Sequence, residues 1–178
     1  MLKQVICAGF GGQGALSIGK SIIEAGMAEG LNVTWSPSYG PEMRGGTANC
    51  HVVLSDEPIG SPVFTRATGL IAMNYPSLVK FEPNVVPGGL ILVNSSVVTE
   101  KVKRDDVRAY YIPSTDIATE IGNIKVANMV MMGAYLAATK AFKVETVEEM
   151  IKGMFTGSKA KLVPANIEAL HRGMECIK

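Results

Sequence analysis

Apolar and polar positions alternate or cluster along the chain with two periods, and the periods change at glycines, prolines and asparagines. The run from roughly Lys3 to Ala8 reads as a strand. A glycine-rich stretch follows it, and then ALSIGKSIIEAGMAEG places Ile18, Ile22, Ile23, Ala25 and Met27 near helical spacing before Gly30 ends the pattern. LNVTWS reads as a second strand. The long polar stretch PSYGPEMRGG stands where a simple doubly wound chain would begin its next helix. TANCHVVLS alternates as a half-buried strand and DEPIGSP closes it as a turn, so a hairpin-like insertion is expected here. GLIAMN and GGLILVNSS have the look of parallel strands buried on both faces, with YPSLVKFEP as the short crossover between them, and RAYYIPS is a further strand. From Thr115 onwards the pattern is helical: DIATEIGN, KVANMVMMGAYLAATKAF, ETVEEMIKGMF and NIEALHRGMECI. The prediction is an α/β fold of three layers, a Rossmann-like, mostly parallel sheet flanked by helices, with a helical C-terminal third. No repeat or linker divides it, so residues 1–178 are expected to form one domain.

Composition narrows the function classes. The formal charge of +1 leaves no field to attract nucleic acid or an anionic membrane. The N-terminal apolar stretch is short for a signal peptide, and no segment offers the unbroken apolar run of a membrane span. Three scattered cysteines without CxxC spacing fit reduced thiols, Cys7 and Cys50 being read as small buried strand residues. The expected place is the cytoplasm.

The candidate chemistry lies in the loops. GFGGQG, residues 9 to 14, follows a strand and opens a helix, and Gly9, Gly11 and Gly14 fit the tight turn and close ligand approach of a dinucleotide fingerprint. A dinucleotide site also needs an acidic residue at the end of the second strand to hold a ribose hydroxyl. Thr34, Trp35 and Ser36 stand there instead. A purely structural turn and a site for another phosphate-bearing ligand remain, the second supported by the helix N-terminus and by Gln13, whose amide can donate and accept. Lys20, two turns into the helix, either adds charge to that site or is simply an exposed lysine. SYGPEMRGGTANC is either a surface loop carrying a solvated Glu42–Arg44 pair or a docking loop that offers Arg44 to a partner or anion. His51 and His171 have no partner pattern and read as strand-packing and surface residues. Met129, Met131, Met132, Met150 and Met154 read as core filling, or alternatively as an adaptable contact surface.

GFGGQG after the first strand, YGPEMRGG after the second and IGNIKVANMVMMGAYLAA opening a long helix together resemble, in that order and over almost the whole chain, the gamma subunit of 2-oxoacid:ferredoxin oxidoreductases. Larger members of that family carry the same module fused into one chain. The resemblance implies a complex that oxidatively decarboxylates a 2-oxoacid with coenzyme A and reduces ferredoxin. Thiamine diphosphate, magnesium and iron-sulfur clusters would then lie on alpha and beta partners, with a ferredoxin-like delta subunit in some assemblies. This chain alone would hold no cofactor and supply no catalytic residue. Gly9, Gly11, Gly12, Gln13, Gly14 and Asn128 would help bind coenzyme A as co-substrate, and Tyr39, Glu42 and Arg44 would meet a partner subunit near the thiamine site. The absence of a cysteine cluster agrees with that division of labour. Other readings are the related indolepyruvate ferredoxin oxidoreductase chain and a stand-alone nucleotide-binding module. Pyruvate, 2-oxoglutarate and branched-chain oxoacids all fit as substrates, and self-association into a homodimer is left open.

Overall fold

The computed structural model describes residues 1–39 and 46–178. Twelve helices and strands of regular length follow one another in these residues: β1 (Leu2–Phe10), α1 (Ala15–Ala28), β2 (Asn32–Tyr39), β3 (Thr47–Ser55), β4 (Ala67–Ala72), α2 (Tyr75–Phe81), β5 (Val85–Asn94), β6 (Arg108–Ile112), α3 (Ser114–Ile121), α4 (Ala127–Thr139), α5 (Val144–Met154) and α6 (Val163–Glu175). Six strands form one sheet in the order β2-β3-β1-β4-β5-β6. β1 pairs in parallel with β4, β4 with β5 and β5 with β6, whereas β3 is antiparallel to both β1 and β2. Only β3 therefore runs against the rest, which is the hairpin-like insertion expected between the first two parallel strands.

The period of two divides the sheet into two cores. Val5, Cys7, Cys50, Val52, Leu54, Ile71, Leu90 and Leu92 face one way and pack under α1, α3, α4, α5 and α6. Ile6, Ala8, Val53, Leu70, Ala72, Ile91 and Val93 face the other way, beneath α2 and the connections that carry Phe64 and Val98. The layers are thus unequal, because the link from β5 to β6 contains no helix and α2 alone provides a helix on the second face. Within α1, Ile18, Ile22, Ile23 and Ala25 are buried as their spacing requires, but Met27 is 55% exposed at the solvent side of the last turn. Met129, Met131 and Met132 are core residues, while Met154 is 42% exposed beside a cleft. Cys7 and Cys50 are buried and directly opposed across β1 and β3. No helix of the described residues is long and apolar enough to cross a membrane.

Two glycines bring α4 and α6 to backbone contact. A Cβ on Gly133 would stand 2.0 Å from the Leu170 carbonyl oxygen, and one on Gly173 would stand 1.9 Å from that of Val130. This crossing holds α6 against α4, which itself packs on β5 and α1.

Candidate functional site

The loop after β1 is shaped by backbone bonds and two left-handed glycines. Gly11 N–H donates to the Gly46 carbonyl at 2.8 Å, carrying the β1–β3 ladder one step past Phe10, and Gln13 N–H turns back to the Phe10 carbonyl at 3.1 Å. Gly12 and Gly14 have φ of +91° and +85°, a region that other residues enter only at a steric cost. Gly14 is the N-cap of α1 and has no side chain to offer, so the first turn of α1 keeps N–H groups directed out of the helix, with no acidic residue among them. That end carries the positive pole of the helix and suits an anion.

The loop lies at a topological switch point. From β1 the chain passes to β2 on one side of the sheet, while β4 occupies the other side of β1, and such a point opens a crevice at the strand C-termini. Asn74, just past β4, stands behind the glycine loop and braces it. Its Oδ1 accepts from Ser77 N–H at 2.8 Å and caps α2, and its Nδ2 donates to Gln13 Oε1 at 3.2 Å. Gln13 Oε1 also accepts from Phe10 N–H at 2.7 Å. The acceptor end of the Gln13 amide is thus committed to the loop itself, and only the donor end remains for a ligand.

The wall facing this loop comes from the far end of the chain. Gly122 closes α3 in the left-handed conformation, Asn123 accepts from Lys125 N–H at 3.1 Å, and one 3₁₀ turn over Ile124–Val126 leads into α4 without a side-chain cap. Asn128, in the first turn of α4, has a buried Oδ1 that accepts no hydrogen bond within the described residues. Between the glycine loop with the start of α1 and the segment that opens α4 runs a cleft of about 730 Å³, in the size range of ligand sites. Gly12, Gln13, Gly14 and Ser17 line one side with Lys20 at its edge; Lys125 and Asn128 line the other; Ile124, Met154 and Phe155 add an apolar stretch. A phosphate-bearing molecule with an apolar portion matches these surfaces: two lysines and an open helix end, against the single carboxylate of Glu24, for the charge, and exposed aliphatic and aromatic groups for the rest.

Gly12, Gln13, Gly14 and Asn128 thus converge on one cleft. Gly9 and Gly11 lie behind it. A Cβ on Gly9 would press to 2.8 Å from Gln13 Oε1 and 2.9 Å from Met73 Cβ, so its lack of a side chain seats the loop. Tyr39 ends β2, 53% exposed, and with Phe10 and Leu16 lines a separate hollow of about 270 Å³ on the other side of the loop. Glu42 and Arg44 lie outside the described residues. His51 is partly buried and stacks on Phe64, its pKa lowered by desolvation, and His171 pairs at the surface with Glu148. Asn74, Ile124 and Lys125 escaped the sequence reading. For Asn74 a signal existed, since Asn-Tyr-Pro-Ser is a helix start with its cap and early proline in place; for Ile124 and Lys125 nothing local distinguished cleft from surface.

Fold and cleft define a Rossmann-like module whose glycine loop lacks the acidic partner of the dinucleotide fingerprint. The family model for pyruvate ferredoxin/flavodoxin oxidoreductase matches residues 4–176, and the chain belongs to that family. It is 41% identical over 173 residues to the ketoisovalerate oxidoreductase subunit VorA of Methanothermobacter thermautotrophicus, covering 97% of this chain and 36% of that protein. The chain thus spans about a third of the length of this relative. The keto/oxoacid ferredoxin oxidoreductase gamma subunit of Geobacter sulfurreducens has a similar structure, with a TM-score of 0.82, 27% identity and coverage of 98% of this chain and 97% of that one. A third match is the 2-oxoglutarate:ferredoxin oxidoreductase from Magnetococcus marinus with 2-oxoglutarate, coenzyme A and succinyl-CoA bound. Its TM-score is 0.89 at 25% identity, over 98% of this chain and 31% of that one.

Proposed function

We propose that residues 1–178 form one gamma-type module of a 2-oxoacid:ferredoxin oxidoreductase, and that its cleft receives coenzyme A while partner subunits carry out the redox chemistry. Family membership over almost the whole chain supports the enzyme class, and the coenzyme A bound in the Magnetococcus relative supports the ligand. The observation that carries the reading is the unpaired, buried Oδ1 of Asn128 beside the uncapped N-terminus of α1. A buried acceptor without a donor costs stability, on the order of 1–3 kcal/mol, and such a cost persists where a ligand supplies the partner.

In this reading the phosphate-bearing end of coenzyme A lies against Gly12 to Ser17 and Lys20, and Asn128 accepts from a donor group of the same ligand. Thiamine diphosphate with magnesium and the iron-sulfur clusters belong to alpha and beta partners, joined in some assemblies by a ferredoxin-like delta subunit. The relatives act on different oxoacids by name, ketoisovalerate and 2-oxoglutarate, so the oxoacid is left to the partners. Tyr39, Glu42 and Arg44 are assigned to the partner interface, and Arg44→Ala is expected to weaken assembly or turnover.

Anaerobic affinity purification at native abundance tests the assignment. Co-purification of thiamine- and cluster-bearing subunits, with oxoacid oxidation that depends on coenzyme A and a viologen acceptor, is the expected result. A chain that comes alone and inert refutes it. Within the complex, Gly11→Val, which would displace the neighbouring Gly12 and Gln13, is expected to raise the coenzyme A requirement and leave thiamine binding unaltered; an unchanged coenzyme A response removes Gly11 from the site.

A further inference from the structure

Asn74 and Gln13 reach each other across the switch point, and the one bond between them joins a bond from Phe10 N–H in fixing which way the Gln13 amide faces. The atom of Gln13 opposite Phe10 N–H must be the oxygen, because a backbone N–H can only donate. The same oxygen takes the Asn74 Nδ2 donor. Asn74 in turn cannot rotate its amide, since its own oxygen is held by Ser77 N–H and the residue is 4% exposed. The missing Cβ of Gly9 provides the space in which Gln13 Oε1 sits. Among the described residues nothing bonds to Gln13 Nε2, and Gln13 lines the cleft.

We infer that Asn74 is a positioning residue that, together with Phe10 N–H, locks Gln13 as a hydrogen-bond donor, so that the ligand group received at this point of the glycine loop is an acceptor oxygen. An amide free to turn would serve donor and acceptor alike, whereas a locked one discriminates between them. The inference rests on the coenzyme A reading of the cleft. It places a specificity determinant at the end of β4, outside the glycine loop, and ties the N-terminus of α2 to ligand binding.

The test is steady-state kinetics of the assembled complex with coenzyme A as the varied substrate, together with calorimetric binding of coenzyme A. Gln13→Ala removes the donor and is expected to raise KM for coenzyme A about tenfold. Asn74→Ser keeps an oxygen for Ser77 N–H but is too short to reach Gln13; it is expected to raise KM about fivefold with kcat within about twofold. Asn74→Asp also keeps the cap and turns an oxygen towards Gln13 Oε1, so it should act at least as strongly, and it serves where the serine variant folds poorly. In the double variant Asn74→Ser/Gln13→Ala, KM should equal that of Gln13→Ala alone, because Asn74 acts through Gln13. Additive effects, or a fall in kcat at unchanged KM in both Asn74 variants, overturn the positioning role. If Gln13→Ala raises KM and neither Asn74 variant does, the coenzyme A reading stands and this inference falls. If Gln13→Ala alters neither KM nor affinity, both fall.

Discussion

Gly14 and Asn128 stand in contact across the mouth of the cleft: a Cβ on Gly14 would come within 3.1 Å of Asn128 Cβ. The two residues belong to opposite ends of the chain, and their approach joins the N-terminus of α1 to that of α4. Asn128 has no bond at Oδ1 to lose, so Asn128→Ala is expected to leave the melting temperature unchanged or slightly higher, while KM for coenzyme A in the complex rises about tenfold. A lower melting temperature with unchanged KM would make Asn128 a structural residue only. Gly14→Ala combines a positive φ with that close contact, and it should cost about 1–2 kcal/mol in stability as well as affinity.

The α4–α6 crossing leaves no room for any side chain at its centre. Gly133→Ala or Gly173→Ala would drive a methyl group into a backbone carbonyl, and neither helix can withdraw without uncovering the core around Val130 and Leu170. Each is expected to cost about 3 kcal/mol, seen in thermal or urea unfolding of the purified chain. A loss under about 0.5 kcal/mol would mean that the helices are not in backbone contact.

Glu29, beyond the last turn of α1, holds the start of α5. Its Oε1 accepts from Lys143 N–H at 2.6 Å and from Thr146 Oγ1 at 2.8 Å, and these bonds, the first foremost, lower its pKa. A carboxyl with a depressed folded pKa stabilises above its unfolded pKa and loses that contribution as pH falls through the folded value. Glu29→Gln is therefore expected to lower stability by about 1 kcal/mol at neutral pH, and by less once the wild-type carboxyl is protonated in acid. Urea unfolding at a series of pH values reads the difference; a gap that widens in acid contradicts it.

Gly19 of α1 lies over the Cys50 thiol. A Cβ there would stand 2.3 Å from Cys50 Sγ, so Gly19→Ala should destabilise by about 2 kcal/mol. Cys50→Ala removes the sulfur and should recover part of that loss, so the double variant is expected to be more stable than the sum of the single effects. Strict additivity would place the strain elsewhere, against Val52 or Trp35.

Much of this fold was legible in the chain because each face of the inner strands β1, β4 and β5 is buried by a different core. The apolar runs around Leu70 and Leu92 could belong only to strands covered on both sides, and the alternation in β3 marked the inserted hairpin. Met27 misled because helical spacing assigns an angle around the axis and says nothing of how far along the helix its cover extends. The lack of a helix between β5 and β6 was not anticipated, because the sequence reading passed from one apolar run to the next without interpreting residues 95–107.

By itself the sequence determined the element types, the strand–glycine loop–helix unit, the lack of a ribose-binding carboxylate and, through three ordered motifs, the family. These are local properties, carried by periodicity, turn chemistry and residues close in the chain. Tertiary structure alone decided that Asn128 comes to rest against Gly14, that Asn74 takes hold of Gln13 and that Lys125 shares a cleft with Lys20. Those meetings depend on how closely α4 approaches α6 and on the register of β1 beside β4. Such contacts are set by packing between segments far apart in sequence, and no spacing along the chain encodes them.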